Sequence, residues 1–176
     1  MARIDLKQSS GLPHFYSGED LQPQGLTIAD TATICIDDIR SQLLNEELNC
    51  PAVFYKKYKD IDKDSVFKSK NLKINIYLIY PNLAGIEYAK TFATKCLKRP
   101  RILEVIYGGG TVLLQKYDSP AKNRVLKSQI KKGQKIIVPP GYTCAIVNSR
   151  QTSNLIVLEL VARDAKSRVV LDDRGG

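Results

Sequence analysis

From Ala52 onward, apolar and polar residues alternate along the chain with a period of two. In "LKINIYLIY", Leu72, Ile74, Ile76, Leu78 and Tyr80 fall on one side, and Lys73, Asn75, Tyr77 and Ile79 on the other. That spacing predicts a strand, because successive side chains of an extended backbone point to opposite faces. "RILEVIY", "TVLLQKY", "KIIVP", "TCAIVN" and "NLIVLELVA" follow at short intervals. Pro81-Asn82, Gly108-Gly109-Gly110, Lys132-Gly133 and Pro139-Pro140-Gly141 separate them as turn signals, the triple glycine reading as a hairpin turn. Many short strands without interleaved helices predict an all-β body, closed or sandwiched. Within "TCAIVN" the alternation places Cys144 and Ile146 on one face, so a thiol points the same way as a core isoleucine.

Ahead of this body, "TIADTATICIDDIRSQLLNEELNCP" reads as a short strand followed by one short helix. Asp37 or Asp38 would cap the helix, Ile39, Leu43, Leu44 and Leu48 would form its apolar stripe, and Pro51 would follow its end. Residues 1–27 are polar and interrupted by Gly11, Pro13, Gly18, Pro23 and Gly25, which suits an arm that packs on the body or stays mobile. Residues 28–165 then form the domain, and residues 166–176, ending in "DDRGG", a frayed tail.

Charge changes this picture more than overall composition does. The net charge is +9, but residues 1–50 carry three Lys/Arg against eight Asp/Glu, a net −5. The other 126 residues carry 24 Lys/Arg against 10 Asp/Glu, a net +14. Three stretches concentrate the positive charge: "FYKKYKDIDKDSVFKSKNLK", "KTFATKCLKRPR" and "KYDSPAKNRVLKSQIKKGQK". Lys56, Lys57 and Lys59 interleave with Tyr55 and Tyr58, an arrangement that could set cations on phosphates and a ring on a base. Lys98, Arg99, Lys122, Arg124, Lys131 and Lys132 complete the candidate contacts to a polyanion. The plainer reading of each stretch is a lysine-rich strand face or hairpin tip that resists edge-to-edge aggregation.

No apolar run approaches the roughly 20 residues of a membrane span, and the N-terminal segment lacks an apolar signal core, so a cytoplasmic protein is expected. Cys35, Cys50, Cys96 and Cys144 show no CxxC spacing, and in a reducing compartment they would be free thiols. His14 is the single histidine and lies in the arm, so no Ser/His or Cys/His nucleophile pair can form in the body.

"GQKIIVPPGYTCAIVN" resembles the second cupin motif: Gly, five residues, Pro-x-Gly, two residues, His, three residues, Asn. Gly133, Pro139, Gly141 and Asn148 fall in place, and Cys144 occupies the histidine slot. The first motif is His-x-His, three or four residues, Glu, six residues, Gly. Counting back from Gly108 puts Arg101 in the glutamate slot and Thr94 and Cys96 in the histidine slots. "CPAVFYKKY", "INIYLIYPNLAGIEYAKT", "GGGTVLLQKY" and "IIVPPGYTCAIVN" are similar in order to segments of the archaeal cupin-type phosphoglucose isomerases, over roughly residues 28–165.

The resemblance implies a cupin double-stranded β-helix, a jelly-roll barrel, that commonly pairs into homodimers through exposed strands. In that family the four slots hold a divalent metal that assists isomerisation of a phosphorylated sugar. Thr94, Cys96, Arg101 and Cys144 offer a hydroxyl, two thiols and a guanidinium that cannot coordinate, so neither a metal nor another cofactor is expected. Glu104 sits at the wrong spacing for the lost carboxylate and is expected to face solvent or pair with Arg101. Of the family's phosphate-contacting threonines, one matches Thr91 and another falls at Tyr77. The leading expectation is a non-catalytic, metal-free scaffold whose basic face docks on nucleic acid or a ribonucleoprotein. The alternative is a binder or sensor of sugar phosphate or another small anion using Thr91 and Arg101 in the pocket, with a residual isomerase ranked after it.

Overall fold

The computed structural model describes residues 3–48, 52–61, 66–119 and 122–170. Two antiparallel sheets face each other. The first runs in the order Lys135–Val138, Arg101–Tyr107, Leu155–Ala162, Leu72–Ile79, Val53–Ile61, Asp30–Cys35. The second runs Lys122–Lys131, Gly109–Ser119, Thr143–Val147, Thr94–Cys96, Ser167–Val169. Tyr77, Ile79, Leu103, Val105 and Val157 from the first meet Val112, Leu114, Cys144 and Ile146 from the second in one core. Cys144 and Ile146 thus share the buried face that the alternation predicts.

The strand Leu72–Ile79 is buried on both faces. Ile74, Ile76 and Leu78 join Tyr58, Ile61, Ile156 and Leu158 on the outer side, beneath Leu6, Leu12, Tyr16 and Leu21. Those last residues belong to the N-terminal segment, where Ile4–Asp5, His14–Tyr16 and Leu21–Pro23 form a small antiparallel sheet. The arm therefore packs on the body. His14 is buried in this arm, with its Nδ1 3.5 Å from Ser10 Oγ, and burial lowers its pKa against opposing effects of Leu12 and Asp5.

Three sequence expectations need correction. The single helix is a 3₁₀ segment, Asp37–Gln42, and two four-residue α-helices, Lys7–Ser10 and Val66–Ser69, were not foreseen. Ile39 and Leu43 are buried as expected, but the chain turns extended at Leu43, leaving Leu44 77% exposed. Gln42 explains the stop: its Nε2 donates to Val170 O at 2.9 Å and its Oε1 accepts from Ala93 N at 3.1 Å. The triple glycine is not a hairpin turn either. Gly108, at φ 75°, is the corner where the chain leaves the first sheet for the second. Lastly, Ser167–Val169, in the expected tail, pairs with Thr94–Cys96 and belongs to the second sheet. Among the described residues, no helix is long and apolar enough to cross a membrane.

Candidate functional site

Strand alternation turns Lys57, Asn75, Tyr77, Arg101 and Glu159 to the inner face of the first sheet, in neighbouring registers. Lys57 pairs across from Tyr77, Glu159 from Asn75, and Leu103 from Glu159. Arg101 and Glu159 form an ion pair at 3.1 Å with each side chain only 4% exposed. The same Nη1 of Arg101 donates to Thr94 Oγ1 at 2.8 Å, and Nη2 donates to Thr94 O at 2.7 Å. Glu159 Oε2 accepts from Asn75 Nδ2 at 2.8 Å and from the Tyr77 hydroxyl at 3.1 Å. Lys57 Nζ stands 3.6 Å from the same oxygen and 4.7 Å from the centre of the Tyr77 ring. Two cations and one carboxylate leave this part of the interior net positive.

Electrostatics follow from the packing. Burial pushes the Glu159 carboxyl up, but Lys57, Arg101 and the hydrogen bonds from Asn75 and Arg101 outweigh it and hold it below the usual range. Burial works against the Arg101 charge, yet Glu159 and the nearby polar groups keep its pKa raised, so it stays protonated. Burial raises the Tyr77 hydroxyl well above its ordinary value, with Glu159 adding to the effect. Cys144 is pushed up to about 12, chiefly by burial, with Arg101 opposing.

The donor set does not suit a divalent metal. Thr94 Oγ1 already accepts from a permanent guanidinium, and the Cys144 thiol holds its proton at neutral pH. Metal ligands must be deprotonated donors, and a fixed cation among them repels the ion. Among the described residues, no three His, Cys, Asp or Glu side chains cluster to hold one. Cys96 and Cys144 are both buried free thiols.

Of the four slot residues, Arg101 contacts Thr94 directly, Cys144 pairs in register with Thr94, and both thiols act electrostatically on Arg101. Glu104 does not pair with Arg101; it binds Lys135 Nζ at 2.7 Å. Arg101 pairs instead with Glu159, which the sequence reading overlooked. A signal was present, since Glu159 is the single charge within "LIVLELVA". In a strand buried on both faces, such a residue needs an internal partner.

A cleft of about 400 Å³ opens beside this network. Lys57, Lys59, Tyr55, Tyr77, Thr91, Thr94 and Ser167 give it polar walls, and Ala32, Ile34, Phe92 and Val169 apolar ones. Its size falls within the ordinary range for small-molecule sites. Arg101 does not line it. Thr91 does, although its Oγ1 is engaged, accepting from Ile146 N at 3.1 Å and donating to Phe92 O at 3.1 Å. The cleft's positive charge comes from Lys57 and Lys59.

The expected polyanion contacts differ in their partners. Lys56 pairs with Asp20 at 2.8 Å and Lys59 with Asp30 at 2.6 Å, so the acidic first segment neutralises lysines of the body. Tyr58 donates to Asp20 beside them. Lys57 points into the barrel, and Arg99 pairs with Asp164 at 2.8 Å. Lys98, Arg124, Lys131 and Lys132 are exposed; the side chain of Lys122 lies outside the described residues.

Facing antiparallel sheets, a Pro-Pro-Gly corner before Cys144 and an inward-facing polar cluster define a cupin of the jelly-roll class. The chain belongs to the family of glucose-6-phosphate isomerase (GPI), whose model matches residues 26–171. In fold it is similar to vicilin from hazelnut, Corylus avellana, with TM-score 0.52 and 16% identity over 66% of this chain and 31% of that one. Procruciferin, the 11S globulin of Brassica napus, gives TM-score 0.52 and 14% identity over 66% of this chain and 27% of that one. The chain thus spans less than a third of the length of these seed proteins. A sequence comparison with curated proteins returns no match.

Proposed function

We propose that this chain is a metal-independent member of its family that binds a small phosphorylated sugar, or a closely related anion, in the barrel cleft. The observation that carries this reading is the cleft itself: two lysines and several hydroxyls around about 400 Å³, backed by a net-positive interior. Lys57 supplies a charge that is drawn on only loosely by Glu159, whose oxygens already accept from Asn75, Tyr77 and Arg101. Tyr55, Thr94 and Ser167 provide hydroxyls for a sugar, and Phe92 an apolar wall. Arg101 takes the structural place of a metal by tying Thr94 to Glu159, which leaves anion binding to Lys57. Metal-assisted isomerisation has no support in this donor set.

Calorimetric titration with glucose 6-phosphate and with glucose, both in chelator, tests the proposal. The phosphate ester binds and glucose does not. Lys57→Gln weakens binding roughly ten- to a hundredfold, as expected for one charge-assisted contact. Isomerase turnover that appears with added divalent metal and disappears with chelator overturns it.

A second reading, docking on nucleic acid, rests on a different observation. Arg124, Lys127, Lys131 and Lys132 are exposed along the edge strand Lys122–Lys131 and the turn after it, with no acidic partner among the described residues. If these four neutralise phosphates, affinity for duplex or single-stranded nucleic acid falls with salt at a log–log slope of about −3 to −4. Filter binding across salt concentrations measures the slope; no retention at low salt removes this reading.

A further inference from the structure

Among the described residues, Lys57 is the lysine of the cleft that no hydrogen bond ties to a carboxylate. It lies on the inner face of Val53–Ile61, its side chain is 26% exposed, and its amine borders the cleft. Among the described residues it makes an ion pair and a ring contact but no hydrogen bond. Lys59, the other lysine of the cleft, is 42% exposed and tied to Asp30. Burial pushes the Lys57 ammonium toward its neutral form. Glu159 on the neighbouring inner strand opposes this, while Arg101, Lys59 on its own strand and Lys73 on Leu72–Ile79 add to it. A partly buried amine held near other cations at the edge of a cleft is a nucleophile in waiting.

We infer that Lys57 is a covalent site whose ε-amine condenses with the carbonyl group of an anionic aldehyde or ketone in the cleft. This rests on the anion reading above, because open-chain sugar phosphates are carbonyl compounds of that kind. The ammonium first releases its proton to solvent. The nitrogen lone pair then attacks the carbonyl carbon, forming a C–N bond as the C–O π electrons move to oxygen. The carbinolamine takes up a proton and loses that oxygen as water, leaving a protonated imine, with no net oxidation or reduction. Glu159, within 3.6 Å of the lysine nitrogen, is placed as counter-ion to the iminium. Tyr77, beneath the amine at 4.7 Å, supplies a face that tolerates positive charge.

The test uses pyridoxal 5′-phosphate as the anionic aldehyde, with cyanoborohydride added to reduce any imine to a stable secondary amine. Peptide mapping by mass spectrometry then locates the label on the whole chain. At equimolar probe, Lys57 carries at least tenfold more label than exposed Lys127 or Lys132, and glucose 6-phosphate suppresses it. Unphosphorylated pyridoxal labels Lys57 far less. Lys57→Arg removes the dominant label, whereas Lys127→Arg leaves it. Label spread evenly over the surface lysines, with Lys57 no richer than the rest, overturns the inference. The two proposals fail separately. Calorimetric binding of glucose 6-phosphate without Lys57 labelling sinks only the covalent site, whereas Lys57 labelling without such binding sinks the sugar-phosphate reading.

Discussion

Replacing Arg101 with Met lowers the stability of the folded chain by about 3 to 5 kcal/mol, because it strands a buried carboxylate without its partner. For a chain of 176 residues that corresponds to a fall in melting temperature of roughly 6 to 20 °C. Glu159→Gln costs a similar amount by leaving Arg101, 4% exposed, with a charge that no carboxylate balances. The double variant Arg101→Met/Glu159→Gln is more stable than either single one. Its amide oxygen still accepts from Asn75 and Tyr77, and Lys57, at the cleft edge, can rehydrate. Urea denaturation of the four proteins measures this coupling. If the two single losses simply add, the pair is not the organising contact described above.

The same pair fixes a pH signature. Glu159 is held below its ordinary pKa of 4.5, so its contribution is fully present above that value. As the pH falls below 4.5 toward the lowered folded value, the carboxylate is protonated and the contribution is lost. The double variant lacks this acid-side loss, so its stability falls less than the wild type's in that range.

Much of the architecture is legible in the alternation, and its limits are physical. Period two identifies the strand 72–79 and sorts its side chains into two sets, but it cannot say which set faces the barrel interior. Asn75 and Tyr77 sit on the face that looks more polar and prove to line the interior. The purely apolar set is buried beneath the N-terminal sheet. Likewise "FYKKYK" shows lysines and tyrosines in alternation, yet Lys57 turns inward while Lys56 turns to Asp20. Only the partner strand decides that, and it lies far off in sequence. The slot residues Thr94, Cys96, Arg101 and Cys144 could be named from motif spacing. The lone carboxylate in "LIVLELVA" could have been found on burial grounds alone, while its pairing with Arg101 needed the register between two strands 58 residues apart at the contact. The charge asymmetry also has a local cause. Asp20 and Asp30 of the acidic segment answer Lys56 and Lys59, so a chain-wide sum overstates the free positive surface.

Gly110→Ala is expected to destabilise the chain by about 3 kcal/mol, at the upper end for one added methyl in a packed site. A Cβ at Gly110 would stand 2.3 Å from Val147 O and 2.6 Å from Leu155 Cδ2. The first of these is backbone of the strand Thr143–Val147, held in register because Thr111 pairs across from Val147. It cannot yield without shifting the strand that carries Cys144 and, through it, the pairing of Cys144 with Thr94 behind Arg101. The second contact is a fully buried leucine of the opposing sheet, so both sheets resist the methyl group. Glycine is required here because a carbonyl of the neighbouring strand and a leucine side chain of the opposing sheet close on this position, not because a hairpin reverses. Chemical denaturation of the variant, with the glucose 6-phosphate titration beside it, measures both consequences: lower stability and weaker binding. A loss below about 1 kcal/mol, the lower end for overpacking a core, would mean that the two sheets are not clamped at this corner.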